Sequence, residues 1–261
     1  MKVAISSLDQ VWKNKSANRV LCENDCMQAN ASHADLIIFP EMTLTGFCMD
    51  AQSLAENAEC SETIIFFQSL ALKYDLAVVF GFIAEDNGYF NRAIAVSSQG
   101  QVVSQYDKIH PFVDAGEDQI FTGGSLLSVF NISDFTVGLT VCYDLRFPEI
   151  YTALSRDCDL VINIANWPEK RCEHWDTLLR ARAIESQFYM LGVNRTGKDG
   201  NGVDYSKSSK CYHPSGQAMP FVSMSSSLDT LDLDKLSLSQ FRQGFPTLSS
   251  RREALYAQFR R

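Results

Sequence analysis

A chain of 261 residues that is 46% apolar and 21% charged can bury a large core and has the size of one α/β domain, expected here over 1–261. A net charge of −8, with no basic run beyond the Arg251-Arg252 and Arg260-Arg261 pairs, argues against a nucleic-acid surface; no apolar run reaches membrane-spanning length, and no signal peptide precedes the first strand, so a cytoplasmic protein is expected. The eight cysteines are scattered and read as reduced thiols, and Cys22 and Cys26, four apart on a predicted helix, lack the second Cys/His pair that a zinc site needs.

Val3 to Leu8 reads as a first strand, and a polar loop leads to a helix from about Ser16 to Ala31. Asp35 to Phe39 is a continuous apolar strand of the kind buried on both faces; Pro40 ends it and Glu41 stands just beyond. A helix from about Ser61 to Tyr74 precedes the buried strand Leu76–Ile83. Phe90–Val96 and Gln101–Tyr106 then form a hairpin-rich region that delivers Asp107-Lys108 at its end. The long polar loop His110–Ser125 contains Glu117, and loops of this length inside compact domains are usually functional.

The apolar run Phe135–Val141 predicts a buried strand that places Cys142 at a sharp strand-to-turn bend, with the Tyr143 N–H facing whatever the sulfur attacks, the logic of a nucleophile elbow. An isolated cysteine is more often a buried apolar side chain. A short helix, Pro148 to about Ser155, leads to the strand Asp159–Ala165 and to Asn166-Trp167-Pro168 at its end. A helix from about Glu173 to Gln187 has the apolar face Trp175, Leu178, Leu179, Ala183 and Ile184. The strand Tyr189–Val193, a loop at Gly197–Gly202, a hairpin around Pro214-Ser215-Gly216 and a last strand Ser227–Leu233 follow. The mixture predicts a layered α/β sandwich. Strands lying side by side with their carboxyl ends on one edge would bring Glu41, Lys108 and Cys142 into one crevice.

The blocks Phe39-Pro40-Glu41-Met42-Thr43-Leu44-Thr45-Gly46-Phe47, Tyr106-Asp107-Lys108-Ile109-His110 and Val141-Cys142-Tyr143-Asp144-Leu145-Arg146-Phe147-Pro148-Glu149 resemble the three signature segments of the nitrilase (carbon–nitrogen hydrolase) superfamily, in order and over essentially the whole chain. The resemblance implies a four-layer α-β-β-α sandwich, a Glu41-Lys108-Cys142 triad, a second active-site acid at Glu117, a homodimer, and no cofactor or metal. Asn166-Trp167-Pro168, His174-Trp175, Ala181 to Gln187, and Asn194-Arg195 through Asp199-Gly200-Asn201-Gly202 are most similar to the ω-amidase branch, which implies hydrolysis of the distal amide of 2-oxoglutaramate and 2-oxosuccinamate.

A thiol of ordinary pKa, about 8.5, is only a few per cent thiolate at neutral pH, so burial of Glu41 and the nearby Lys108 cation are expected to let Glu41 take the proton as Cys142 attacks. Lys108 and the Tyr143 N–H would hold the oxyanion. Glu117 would position Lys108, its alternative being an exposed acid beside Asp118. Phe112, Tyr143, Asn166 and Trp167 are the expected substrate-binding wall, the alternative for Trp167 being a buried tryptophan whose indole N–H needs a partner. Arg146 reads first as a structural partner of Asp144 or Glu149 and second as a ligand for a substrate carboxylate. His110 and His174 show no orienting acid at a readable spacing for a Cys-His hydrolase. A nitrilase, a carbamoylase or an acyltransferase would use the same three residues, and a non-catalytic binding module could keep the same fold. A partner copy could pack on the Trp175–Ile184 helix or on the segment Leu233–Phe245.

Overall fold

The computed structural model describes residues 1–259. The first half of the chain forms β1 (Lys2–Ser6), α1 (Lys15–Ala31), β2 (Leu36–Ile38), α2 (Ala51–Leu54), β3 (Glu56–Asn57), α3 (Glu62–Tyr74), β4 (Ala77–Glu85), β5 (Tyr89–Val96), β6 (Val102–Asp107), β7 (Ser128–Ile132) and β8 (Phe135–Val141). The second half adds α4 (Pro148–Leu154), β9 (Leu160–Ala165), α5 (Cys172–Ser186), β10 (Tyr189–Asn194), β11 (Gly197–Lys198), β12 (Asp204–Tyr205), β13 (Lys210–Tyr212), β14 (Val222–Ser223), β15 (Leu228–Asp232), α6 (Lys235–Gly244) and α7 (Glu253–Phe259). Local signals set several of these ends. Asn14 caps α1 by accepting the Ala17 N–H at 3.0 Å, and Ser61 caps α3 by accepting the Ile64 N–H at 3.1 Å.

The strands make two large sheets and the two-stranded β11-β12 hairpin. One runs β14-β15-β1-β2-β4-β5-β6, with β3 also on β4; the other runs β13-β10-β9-β8-β7. Side chains alternate across each strand, so each sheet buries both faces. Val3 and Ile5 of β1, Val79 of β4, Leu139 and Val141 of β8, and Ile162 of β9 meet in a core between the sheets. The alternate residues Ala4, Val78 and Phe80 face outward onto Cys22 and Cys26 of α1 and Phe67 of α3. On the other side, Val161 and Met190 face Tyr151 of α4 and Trp175 and Leu179 of α5. The result is the α-β-β-α sandwich. Gly192 of β10 lets α5 lie close, since a Cβ there would stand 2.5 Å from the Trp175 ring.

Between the predicted loop His110–Ser125 and the elbow strand lies a further strand, β7, which pairs antiparallel with β8 around Ser133, whose φ is +50°. Gly197–Gly202, expected as a loop, comprises β11 and the start of the turn that leads to its antiparallel partner β12. The C-terminal segment packs on its own chain: Leu238 is buried, and Arg242 donates to the Gln187 and Cys158 carbonyls at 2.7 Å each. Among the described residues no helix is long and apolar enough to cross a membrane.

Candidate active site

Glu41, Lys108, Glu117 and Cys142 converge at one end of the sandwich, but not along one sheet edge. β2, which precedes Glu41, and β6, which delivers Lys108, belong to the first sheet and are separated by β4 and β5; Cys142 ends β8 of the second. The two sheets face each other, so the crevice lies between layers and not between neighbouring strands. The turn carrying Glu41 is bound from below: Gln10 Nε2 lies 3.0, 3.0 and 3.2 Å from the carbonyls of Glu41, Met42 and Thr43. Cys142 has φ +47°, a left-handed conformation that a non-glycine residue adopts at a local cost, and it turns the thiol out of the sheet.

The acids and the lysine form one buried network. Lys108 Nζ donates to Glu117 Oε2 at 2.7 Å and to Glu41 Oε1 at 3.2 Å. Asn91 Nδ2 bridges the same two acids, donating to Glu41 Oε1 at 2.7 Å and Glu117 Oε1 at 2.9 Å. Glu41 Oε2 accepts the Asn166 N–H at 2.8 Å, and Glu117 Oε2 also accepts the Phe112 N–H at 2.6 Å. Glu117 is therefore no exposed acid; it is fully buried against the lysine. Burial alone would lower the Lys108 pKa, but Glu41 and Glu117 outweigh it and hold the ammonium charged. Burial and the adjacent Glu41 push the Cys142 thiol well up, and Lys108 offsets only part of that rise. An upward shift favours the neutral thiol, whose proton has to leave as the sulfur attacks. Among the described residues no acceptor takes the Tyr143 N–H, as an oxyanion donor requires.

A cavity of about 370 Å³ opens above Cys142, at the small end of the range for small-molecule sites. Lys108, Phe112, Tyr143, Asn166 and Trp167 all line it. Trp167 lines the cavity and is also a buried core residue whose indole N–H donates to the Arg171 carbonyl at 2.8 Å. Arg146 does not pair with Asp144 or Glu149. Asp144 is already occupied by the Tyr106 hydroxyl at 2.8 Å, the Val141 N–H at 3.1 Å and the His110 N–H at 3.0 Å, and the Arg146 guanidinium lies over the Trp167 ring at 4.7 Å, in the cavity wall. His110 does have an orienting acid, Asp144 Oδ1 at 2.9 Å from Nδ1, yet it stacks on Phe147 and is not part of the cavity wall. His174 touches Arg146 at 3.4 Å.

Several residues that hold the site were not singled out by the sequence reading. Asn91 and Gln10 lie outside the three blocks, and a lone amide carries no spacing signal. Tyr205, in the cavity wall, donates its hydroxyl to Asp199 Oδ2 at 3.0 Å and stacks on the buried Arg195 at 4.7 Å. Burial and Asp199 raise the Tyr205 pKa and keep the hydroxyl neutral.

The carbon-nitrogen hydrolase family model matches residues 2–242. "Hydrolase in agr operon" from Staphylococcus aureus is 33% identical over 98% of this chain and 100% of its own. "Omega-amidase YafV" from Yersinia enterocolitica is 36% identical over 94% of each chain. A CN-hydrolase superfamily protein from Xanthomonas campestris, solved with an arsenic adduct in its active site, superposes with a TM-score of 0.89 at 27% identity, over 96% of this chain and 97% of that one. With a family match over most of its length and an ω-amidase among its relatives, the chain belongs to the carbon–nitrogen hydrolase family of the nitrilase superfamily, on its ω-amidase branch.

Proposed function

We propose that the chain hydrolyses the distal amide of small ω-amido keto acids, 2-oxoglutaramate and 2-oxosuccinamate, through a thioester on Cys142. The observation that carries this reading is the buried Lys108, bonded to Glu41 and Glu117 and lining the cavity beside a thiol on a left-handed bend. Cys142 Sγ attacks the amide carbon while its proton passes to Glu41, which lies beside it. The carbonyl oxygen gains charge against Lys108 Nζ and the Tyr143 N–H. Such donors are commonly worth about 3 kcal/mol each. Glu41 then gives its proton to the nitrogen as the C–N bond breaks and ammonia leaves. Next it takes a proton from water that attacks the thioester, and the acid departs as the proton returns to sulfur. Glu117 and Asn91 keep Lys108 and Glu41 in place throughout.

The proposal treats residues 1–261 as one catalytic unit that works as a homodimer in the cytoplasm, where its thiols stay reduced. Exposed Ile184 on α5 and Leu236 and Phe245 near α6 would supply apolar surface for the two-fold contact. Ammonia release from both keto-amides, with Cys142→Ala and a simple nitrile alongside, tests the chemistry. Turnover that disappears in the variant is expected. Failure of both keto-amides, or turnover that survives Cys142→Ala, overturns the substrate or the nucleophile respectively.

A further inference from the structure

Two guanidiniums reach the cavity wall with no acid paired to them among the described residues. Arg146 lies on Trp167 and touches His174. Arg171 is half-buried over the Phe112 ring, 5.2 Å from its centroid, and its side-chain N–H groups find no acceptor among the described residues. Asp114 shares the wall but forms no ion pair with it among those residues. A guanidinium offers five donors in a planar fork that matches a carboxylate, and at the cavity wall those of Arg171 are open to a substrate anion.

Its backbone is fixed. The Arg171 carbonyl accepts the Trp167 indole N–H at 2.8 Å, and its N–H donates to the Pro168 carbonyl at 3.0 Å. The ring beneath it is fixed too, because the Phe112 N–H is held by Glu117, which also holds Lys108 at 2.7 Å. The cation is therefore tied to the reacting end through a ring and two hydrogen bonds. We propose that Arg171 is a specificity-determining residue that binds the far carboxylate of the substrate and so selects amides by charge and chain length. The inference rests on the ω-amido acid reading above and names the residue that enforces it.

The test is calorimetric titration of the Cys142→Ala chain with 2-oxoglutarate, the acid that 2-oxoglutaramate would yield, with Arg171 intact, as Arg171→Gln and as Arg171→Lys. Affinity is expected to fall about tenfold or more in Arg171→Gln, with partial recovery in Arg171→Lys and a weaker dependence on salt in the Gln variant. An affinity within twofold of the parent in Arg171→Gln overturns the proposal, as does failure of the parent to bind 2-oxoglutarate at all. The two readings fail separately. If keto-amides are not hydrolysed yet 2-oxoglutarate binding depends on Arg171, the substrate reading falls and Arg171 is left as an anion-binding residue of the cavity; if they are hydrolysed and Arg171→Gln binds normally, the substrate reading stands and the role of Arg171 falls.

Discussion

Asn91 holds two buried carboxylates with a single amide nitrogen. Glu41 and Glu117 would otherwise be joined only through Lys108, and acids packed this closely repel unless each finds its own donors. Hydrogen bonds to charged groups are worth about 1.5–3 kcal/mol each. Asn91→Ala should therefore lower kcat on any accepted amide about ten- to hundredfold, and Asn91→Asp should do worse, because a third acid would face the pair. Steady-state kinetics of both variants check this. Alanine activity within twofold of the parent would remove Asn91 from the positioning of either acid. The residue sits in β5 within Tyr89-Phe90-Asn91-Arg92, where it stands beside Arg92 as a polar residue in a strand of mostly apolar and aromatic side chains, the one trace it leaves in the sequence.

At the scale of elements, the turn after β2 is held from two sides. Gln10 binds its carbonyls, and β4 supports it at Gly81, whose N–H meets the Thr43 hydroxyl at 3.0 Å and whose carbonyl accepts the Thr43 N–H at 2.8 Å. A Cβ on Gly81 would lie 2.8 Å from the Met42 nitrogen and 3.3 Å from the Glu41 Cα, so Gly81→Ala must push the turn away. The expected outcome is a stability loss of about 1–3 kcal/mol and a kcat about 10–100-fold lower, since small misplacements of reacting groups are costly. Urea midpoints and kcat measured on the same preparation decide it; full activity with lost stability would show that β4 does not set the position of Glu41. The same elements explain what was legible. Strands buried on both faces, such as β4 and β9, read as continuous apolar runs, and the chemistry-bearing residues stood at their ends. β7 escaped because its polarity is out of step with its burial, polar Ser128 facing inward and apolar Val129 outward, so Ser128-Val129-Phe130-Asn131-Ile132 shows no alternation to read. That Arg146 is free of Asp144 was illegible, because Asp144 is claimed by Tyr106 and His110 from a distant part of the chain.

At the scale of the whole molecule, a sandwich in which two sheets bury both faces removes most of its thiols from water. Burial pushes up the pKa of Cys22, Cys26 and Cys211, with nearby acids adding to the first two, and raises Cys158 to about 12. In the unfolded chain each would titrate near about 8.5. A folded value above the unfolded one means that the stability these groups contribute is intact below about pH 8.5 and is lost as the pH climbs towards the folded values. Each group that ionises only in the unfolded state costs about 1.4 kcal/mol per pH unit in that window. The urea midpoint in reducing buffer should therefore hold steady between pH 7 and 8 and fall steeply above about pH 9. A midpoint unchanged up to about pH 10.5 would mean that these thiols are not buried as the fold places them, and with them the packing of α1 on the first sheet, where Cys22 and Cys26 lie, would have to be redrawn.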